Sequence, residues 1–551
     1  MAAYISSVEY KKLERVLRKI LDKIHVKHLL YKILIIPSQE IALRRLKKIV
    51  SNSPKQEKKF TGKKIIFNSV DGRYMIHTFM EGELAKSLGM RGHKTKILIC
   101  GGALSMCTTF HRIDHPPNPW SCKNCNYFSK KFYQITGLDY STYSEYLNEE
   151  KLEEIKKKIE NLPVEECYKY VHKGVKVGTH AAISAERFFK GGIPSKEYYN
   201  QILRSELINA IISADVAEEV VKKEKPDVLV TSHGCYSSWG SFSEYFVNQG
   251  IRVCVWADGE GNTVTFDLDK SDEFFEKYLE ESRKRRPLNE KEKEELENFL
   301  KIREKGEEGQ VTLFGFVEIK KEILEKKFNF KKYDKTYVIF PNVPWDAALM
   351  GADIGFRDVY DWINTTIELF KNKKNLELIV KIHPSELKVM ESKRTVLDSI
   401  NDKFADLPEN IKIIPPDTEI SPYSLFPFTD VGLVYNGTVG LEMSIKGIPV
   451  IVSGNAHYGK KDFTYDIFTK KEYSKILFKE LTTLPNQQDL ARIYAYFHFI
   501  KTFTPKPLIF YTNFLSLGWE INSLEEFSSG KNKFLDHICN YIINDGVFQD
   551  W

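Results

Sequence analysis

Five short apolar runs rich in branched residues set the fold class of this chain: TYVIFPNV (336 to 343), LELIVKIHPSE (376 to 386), IKIIPP (411 to 416), DVGLVYN (430 to 436) and IPVIVSGN (448 to 455). Each is too short for a helix and too apolar to show one wet face, which is the pattern of strands covered on both sides. Helical sequence such as VYDWINTTIELF separates them, and strands joined by helices pair in parallel. The expectation is a parallel α/β unit over 331 to 470. A second alternation lies upstream, in KKIIFNSV (63 to 70), KTKILICGG (94 to 102), PDVLVTSH (226 to 233) and RVCVWADGEG (252 to 261). With 551 residues, the chain exceeds what one core usually serves. Two doubly wound, Rossmann-like domains are expected, the first over 61 to 271.

The remaining segments read as additions to these units. Residues 1 to 60 carry leucine and isoleucine at helical spacing beside a Lys/Arg face, and predict an amphipathic helix. Such a helix either packs on the first domain or lies on an anionic membrane surface. Residues 100 to 192 lose the strand pattern and read as a Cys-rich and then helical insertion. The stretch 272 to 330, dominated by Glu, Lys and Arg, reads as an exposed helical linker. Residues 471 to 551 read as C-terminal helices returning to the first domain. The net charge of +6 is small for this length, so nothing calls for nucleic acid. No apolar run nears the ~20 residues of a membrane span, and no signal-peptide pattern opens the chain, so a cytoplasmic protein is expected.

Ligands of doubly wound sheets sit beyond the carboxyl ends of the strands. At the end of LELIVKIHP stand Lys381 and His383, a cation and an imidazole suited to a phosphate; a histidine satisfied by local hydrogen bonds would read the same. After DVGLVYN, the residues Asn436, Gly437, Thr438, Val439 and Gly440 open a helix whose first amides face the space above the sheet. Glu442, one turn on, is placed to accept hydrogen bonds from a ribose. In the first unit, His233 ends one strand, while Asp258 and Glu260 follow another. They are the candidates for an acceptor base, although Asp258 before Gly259 also suits a plain turn. Asp71, Arg73 and His77 lie in the loop after the first strand and are candidates for acceptor contact.

The stretches KIHPSE (381 to 386), NGTVGLE (436 to 442) and GIPVIVSGNAHYGKKDFTYD (447 to 466) resemble the GT-B glycosyltransferases of capsule and surface polysaccharide biosynthesis. That group includes capsule-synthesis proteins, bacterial polysialyltransferases and polyol-phosphate transferases. The resemblance covers roughly 336 to 470 and extends more weakly over 63 to 260. It implies two facing Rossmann-like domains, with the nucleotide and phosphate of a sugar donor held by His383, Thr438 and Glu442. The family's box often has two consecutive hydroxyl residues, where this chain has Gly437 before Thr438; an amide at the glycine can replace the missing contact. Related polysialyltransferases carry an acidic pair before a glycine in the first domain, where this chain has Ala257 and Asp258. Relatives with the His-Pro pair use cytidine nucleotides, which implies a cytidine-activated donor.

Four of the eight cysteines, Cys100, Cys107, Cys122 and Cys125, form C-x6-C-x14-C-x2-C. Four sulfurs suit a structural zinc, with His111 or His115 as substitutes; an iron-sulfur cluster uses the same donors, and reduced thiols are the third reading. The function expected is transfer of a sugar from a nucleotide sugar to a surface glycan, a lipid-linked glycan or a protein. A nucleotide-sugar 2-epimerase of the same architecture, or a metal-stapled scaffold of a glycan assembly complex, are the alternatives.

Overall fold

A computed structural model describes residues 36–53, 60–72, 75–107, 119–193, 195–259, 263–267, 287–304, 321–328, 333–344, 354–388, 392–418, 420–506, 509–513, 516–519, 521–546 and 548. The chain forms two α/β units, each built on its own sheet.

The first sheet contains β1 (Lys64–Asn68), β2 (Lys94–Ile99), β3 (Tyr140–Thr142), β4 (Val228–Ser232), β5 (Arg252–Asp258) and β6 (Thr263–Phe266). The order is β3-β2-β1-β4-β5-β6, parallel through β5, with β6 antiparallel. The second contains β7 (Lys335–Phe340), β8 (Leu376–Lys381), β9 (Ile411–Ile414), β10 (Val431–Val434), β11 (Val450–Val452) and β12 (Tyr465–Asp466). All six are parallel in the order β9-β8-β7-β10-β11-β12. Winding out from a central first strand, back to it, and out the other way is the doubly wound order of Rossmann folds. In each unit the reversal leaves a crevice at the carboxyl ends, between β1 and β4 and between β7 and β10.

The fully buried strands are those the apolar runs marked, as in the VLVTS of β4 and the VGLV of β10. Three short strands carry no such signal. β3 is only YST, β12 is only YD, and β13 (Thr504–Pro505) adds two residues antiparallel to β6. Because β3 is the edge strand beside β2, residues 100 to 192 are not a pure insertion: they complete the first sheet.

The charged stretch read as an exposed linker is also different. Helix Glu290–Glu304 buries Leu296, Leu300 and Arg303 against the second core, since the two leucines stand one turn apart on one face of a largely charged helix. Helix Ile36–Ser51 sinks Ala42, Leu43 and Leu46 into the first core and leaves Arg44, Arg45, Lys47 and Lys48 exposed. Helix Lys533–Ile543 packs into the same core through Leu535, Ile538 and Ile542.

The units also touch directly. At the end of helix Val177–Phe189, the Lys190 carbonyl accepts from the Lys393 amide of the second unit at 3.0 Å. Among the described residues no helix is long and apolar enough to cross a membrane.

Candidate functional site

The crevice of the second sheet is built mostly from main chain. Beyond β7, the Asn342 Oδ1 accepts the Asn436 amide at 3.2 Å, a bridge across the reversal point that fixes the exit of β10. Tyr458, delivered by the loop after β11, donates its phenol to the Gly437 carbonyl at 2.6 Å. A Cβ on Gly440 would lie 2.1 Å from that phenol oxygen, so the fold itself demands glycine there. Gly437 differs: a Cβ would meet Asn342 at an ordinary 3.6 Å. Glycine at 437 therefore answers no packing need and keeps the surface bare.

Thr438 precedes helix Val439–Ile445 in a helical conformation, and its hydroxyl does not cap that helix. Among the described residues, the amides of Gly437, Thr438 and Val439 donate to no acceptor. Three amides, one hydroxyl and a bare glycine make a cradle for an anionic group.

His383 stands at the exit of β8. Its Nδ1 accepts the Ser385 amide at 3.1 Å, so the ring proton resides on Nε2. Burial, reinforced by Lys381, pushes the imidazole down to about 4. At neutral pH His383 is thus a neutral hydrogen-bond donor and not an acid in reserve. Lys381 is buried and donates to the Ile382 carbonyl at 3.2 Å. Glu386 of the same motif is buried behind it, with Oε2 accepting the Val396 amide at 2.8 Å. Burial raises this carboxyl to about 8.

Glu442 is also engaged from within. Arg303 reaches its Oε1 at 2.8 Å, with both side chains buried. No local pattern discloses this pair, because its members lie 139 residues apart.

The crevice of the first sheet has another character. His233, at the exit of β4, has φ of 56°, a left-handed backbone that a histidine adopts only when its surroundings impose it. Its Nδ1 has no hydrogen-bond partner among the described residues. Burial, with Arg187 nearby, lowers this imidazole to about 4 although Asp258 opposes the shift. The His77 ring lies 5.2 Å from that of His233 and 4.9 Å edge-on from that of Trp256. It too is held neutral, chiefly by burial and then by His233, Lys506 and Arg187.

The Trp256 indole donates to Glu81 Oε1 at 3.0 Å, and burial raises Glu81 to about 8. Asp258, at the end of β5 and about a third exposed, is paired with Lys506 Nζ at 2.7 Å. Asp71 is buried at the exit of β1. Arg73 and Glu260 lie outside the described residues.

The structure therefore brings Asp71, His77, His233 and Asp258 to one end of one sheet and adds Arg187 and Lys506. Neither added residue lies in a pattern that sequence reading would select.

The zinc and iron-sulfur readings are not supported. Among the described residues no group of three or more His, Cys, Asp or Glu is arranged to hold an ion. Cys122 and Cys125 fall within the continuous helix Pro119–Thr136 and not in a knuckle turn. Cys100, Cys107, Cys122 and Cys125 form no disulfide; His111 and His115 lie outside the described residues.

No family model matches the chain, and no curated protein does. Among solved structures it is similar to KpsC of Thermosulfurimonas dismutans, a β-Kdo 2,4 transferase, at 13% identity and a TM-score of 0.33, covering 55% of this chain and 88% of that one. It is similar to the β-Kdo 2,7 transferase KpsC of the same organism, at 15% identity and a TM-score of 0.29, covering 51% of this chain and 78% of that one. It is also similar to S. aureus MnaA with UDP, at 13% identity and a TM-score of 0.26, covering 80% and 95%.

Proposed function

We propose that the protein is a glycosyltransferase: the second unit holds a nucleotide-activated sugar, and the first presents the acceptor hydroxyl to it. The observation that carries this reading is the cradle at Asn436–Gly440. It sits at the reversal point of a doubly wound sheet, where ligands of such sheets bind, and its bare Gly437 has no packing role.

In this reading the donor phosphate rests against the amides of Gly437, Thr438 and Val439, and His383 donates from Nε2 to a phosphate oxygen. The acceptor oxygen attacks the anomeric carbon while its proton passes to Asp258. The bond from that carbon to the phosphate oxygen breaks, and its electron pair leaves with the nucleotide. The amides and the His383 N–H stabilise the charge gathering on that oxygen, and no metal is required for that step. Glu442 acts through Arg303 as part of the scaffold under the cradle, which replaces the ribose role expected from sequence. The acceptor class is a surface glycan, a lipid-linked glycan or a protein. The donor preferred is cytidine-activated, on the resemblance of KIHPSE and NGTVGLE.

A thermal-shift panel of CMP, UDP, GDP and their sugars tests the reading, because a ligand of the folded state raises its melting temperature. One nucleotide class is expected to stabilise the protein. His383→Ala should lower nucleotide release from the matching sugar by about 100-fold or more with an unchanged melting temperature. Full activity in that variant would sink the assignment. Epimerised sugar formed without any acceptor would replace transfer by 2-epimerisation, and a panel with no stabilising nucleotide would leave only a scaffold.

A further inference from the structure

From the path of the chain between the two units, we infer that Lys506 is a positioning residue for the transfer reaction and acts through Asp258; this rests on the function proposed above. After helix Gln487–Tyr496, the chain forms a short π-helix, Phe497–Lys501, against the second unit. It then crosses to the first sheet as β13. π-helical segments are uncommon and concentrate at functional sites.

Each step of this crossover touches one of the two units. His498 stacks on His457 of the loop after β11, with ring centroids 4.3 Å apart. Phe503 lies against Gly259, where a Cβ would stand 2.4 Å from its ring. Thr504 and Pro505 pair with β6 opposite Val264 and Thr263. The next residue, Lys506, has a buried side chain, 3% exposed, whose ammonium is 2.7 Å from Asp258 Oδ1.

A lysine is rarely buried unless its charge is matched. Here the match is the one carboxylate that the first sheet offers at the exit of β5. With Oδ1 held by Lys506, Asp258 is fixed in orientation, and Oδ2 is the oxygen that takes the acceptor's proton. Lys506 itself exchanges no proton in the step. The fit of Phe503 to Gly259 sets the height of the crossover, so the ammonium arrives at a defined place beside the base.

The test uses the full chain and the nucleotide sugar identified by the thermal-shift panel, with nucleotide release as the readout. Lys506→Met should lower kcat about 100-fold while the KM for the donor stays within about 2-fold and the melting shift given by the free nucleotide is retained. Lys506→Arg, which restores the cation, should recover kcat to within about 5-fold of the parent. On an Asp258→Asn background, Lys506→Met should cause no further loss, because residues acting as one unit are not additive.

A kcat within about 3-fold of the parent in Lys506→Met, or equal losses in the Met and Arg variants, would overturn the inference while leaving the glycosyltransferase reading intact. If Lys506→Met fails to fold, Lys506→Gln and the Asp258→Asn pair decide in its place. A parent protein that binds no nucleotide and releases none from any sugar would overturn both.

Discussion

The two units have the same winding order, yet their crevices are furnished in opposite ways. At the reversal point of the second sheet the polar groups are main-chain amides, one hydroxyl and a neutral imidazole, supported by the phenol of Tyr458 and the amide of Asn342. At that of the first sheet they are side chains: two neutral histidines, a strained backbone at His233 and an Asp–Lys pair. Topology decides where a ligand sits, and the loops beyond the strands decide what can be done to it. A surface of amides suits a group that is already charged and must only be held. A surface of ionisable side chains suits a group whose proton must move.

The largest effects should divide along this line. Asp258→Asn is expected to lower nucleotide release by about 100- to 10,000-fold without altering the melting shift given by the free nucleotide. His383→Ala should lower release by a comparable factor. Release is to be measured beside nucleotide-induced stabilisation for both variants; loss of stabilisation in Asp258→Asn would show that holding and proton transfer are not divided between the two crevices.

Two glycines sharpen the description of the cradle. Gly440→Ala drives a methyl into the Tyr458 phenol and should destabilise the fold by about 2 kcal/mol, read as a lower denaturation midpoint. Gly437→Ala fits the fold, with ordinary contacts to Asn342, so its stability should change by less than about 0.5 kcal/mol. Its added methyl stands on the bare surface and should weaken nucleotide binding about 10-fold, measured by calorimetry. Equal binding in the parent and Gly437→Ala would show that the ligand does not rest there.

The same contrast explains what could be read from the chain. The second crevice is written in short contiguous pieces, KIHP and NGTVG, because main-chain cradles and strand exits are local features with local signatures. The first crevice gathers residues 77, 187, 233, 258 and 506, and no pattern in sequence connects them. His233 and Asp258 were legible as strand-end residues; Arg187 and Lys506 depended on how a distant helix and a two-residue edge strand come to rest. β3, β12 and β13 were missed because two or three residues carry no periodicity. The cysteine spacing pointed to metal because spacing does not disclose how the side chains are arranged in space, and among the described residues no group of three is placed to hold an ion.

The smallest expected effect concerns a feature the halves share. Glu81 in the first unit and Glu386 in the second are buried carboxyls raised to about 8, in both cases chiefly by loss of water. A carboxyl whose folded value is raised holds its proton in the native state after the unfolded chain has released it. Stability therefore falls as pH rises from the unfolded value, about 4.3, and the fall ends near the folded value of about 8. The half-buried His233, His383 and His457, each lowered to about 4 chiefly by loss of water, act in the opposite direction, but only below about 6.5. The window from pH 6.5 to 8 is thus governed by raised carboxyls, Glu81 and Glu386 together with the buried Glu206 and Glu83 of the first unit, and the melting temperature should decline across it. Glu386→Gln keeps the shape and removes the titration, so the decline should be shallower in that variant, and shallower again with Glu81→Gln added. An unchanged slope in both variants would mean that neither carboxyl is protonated in the folded protein.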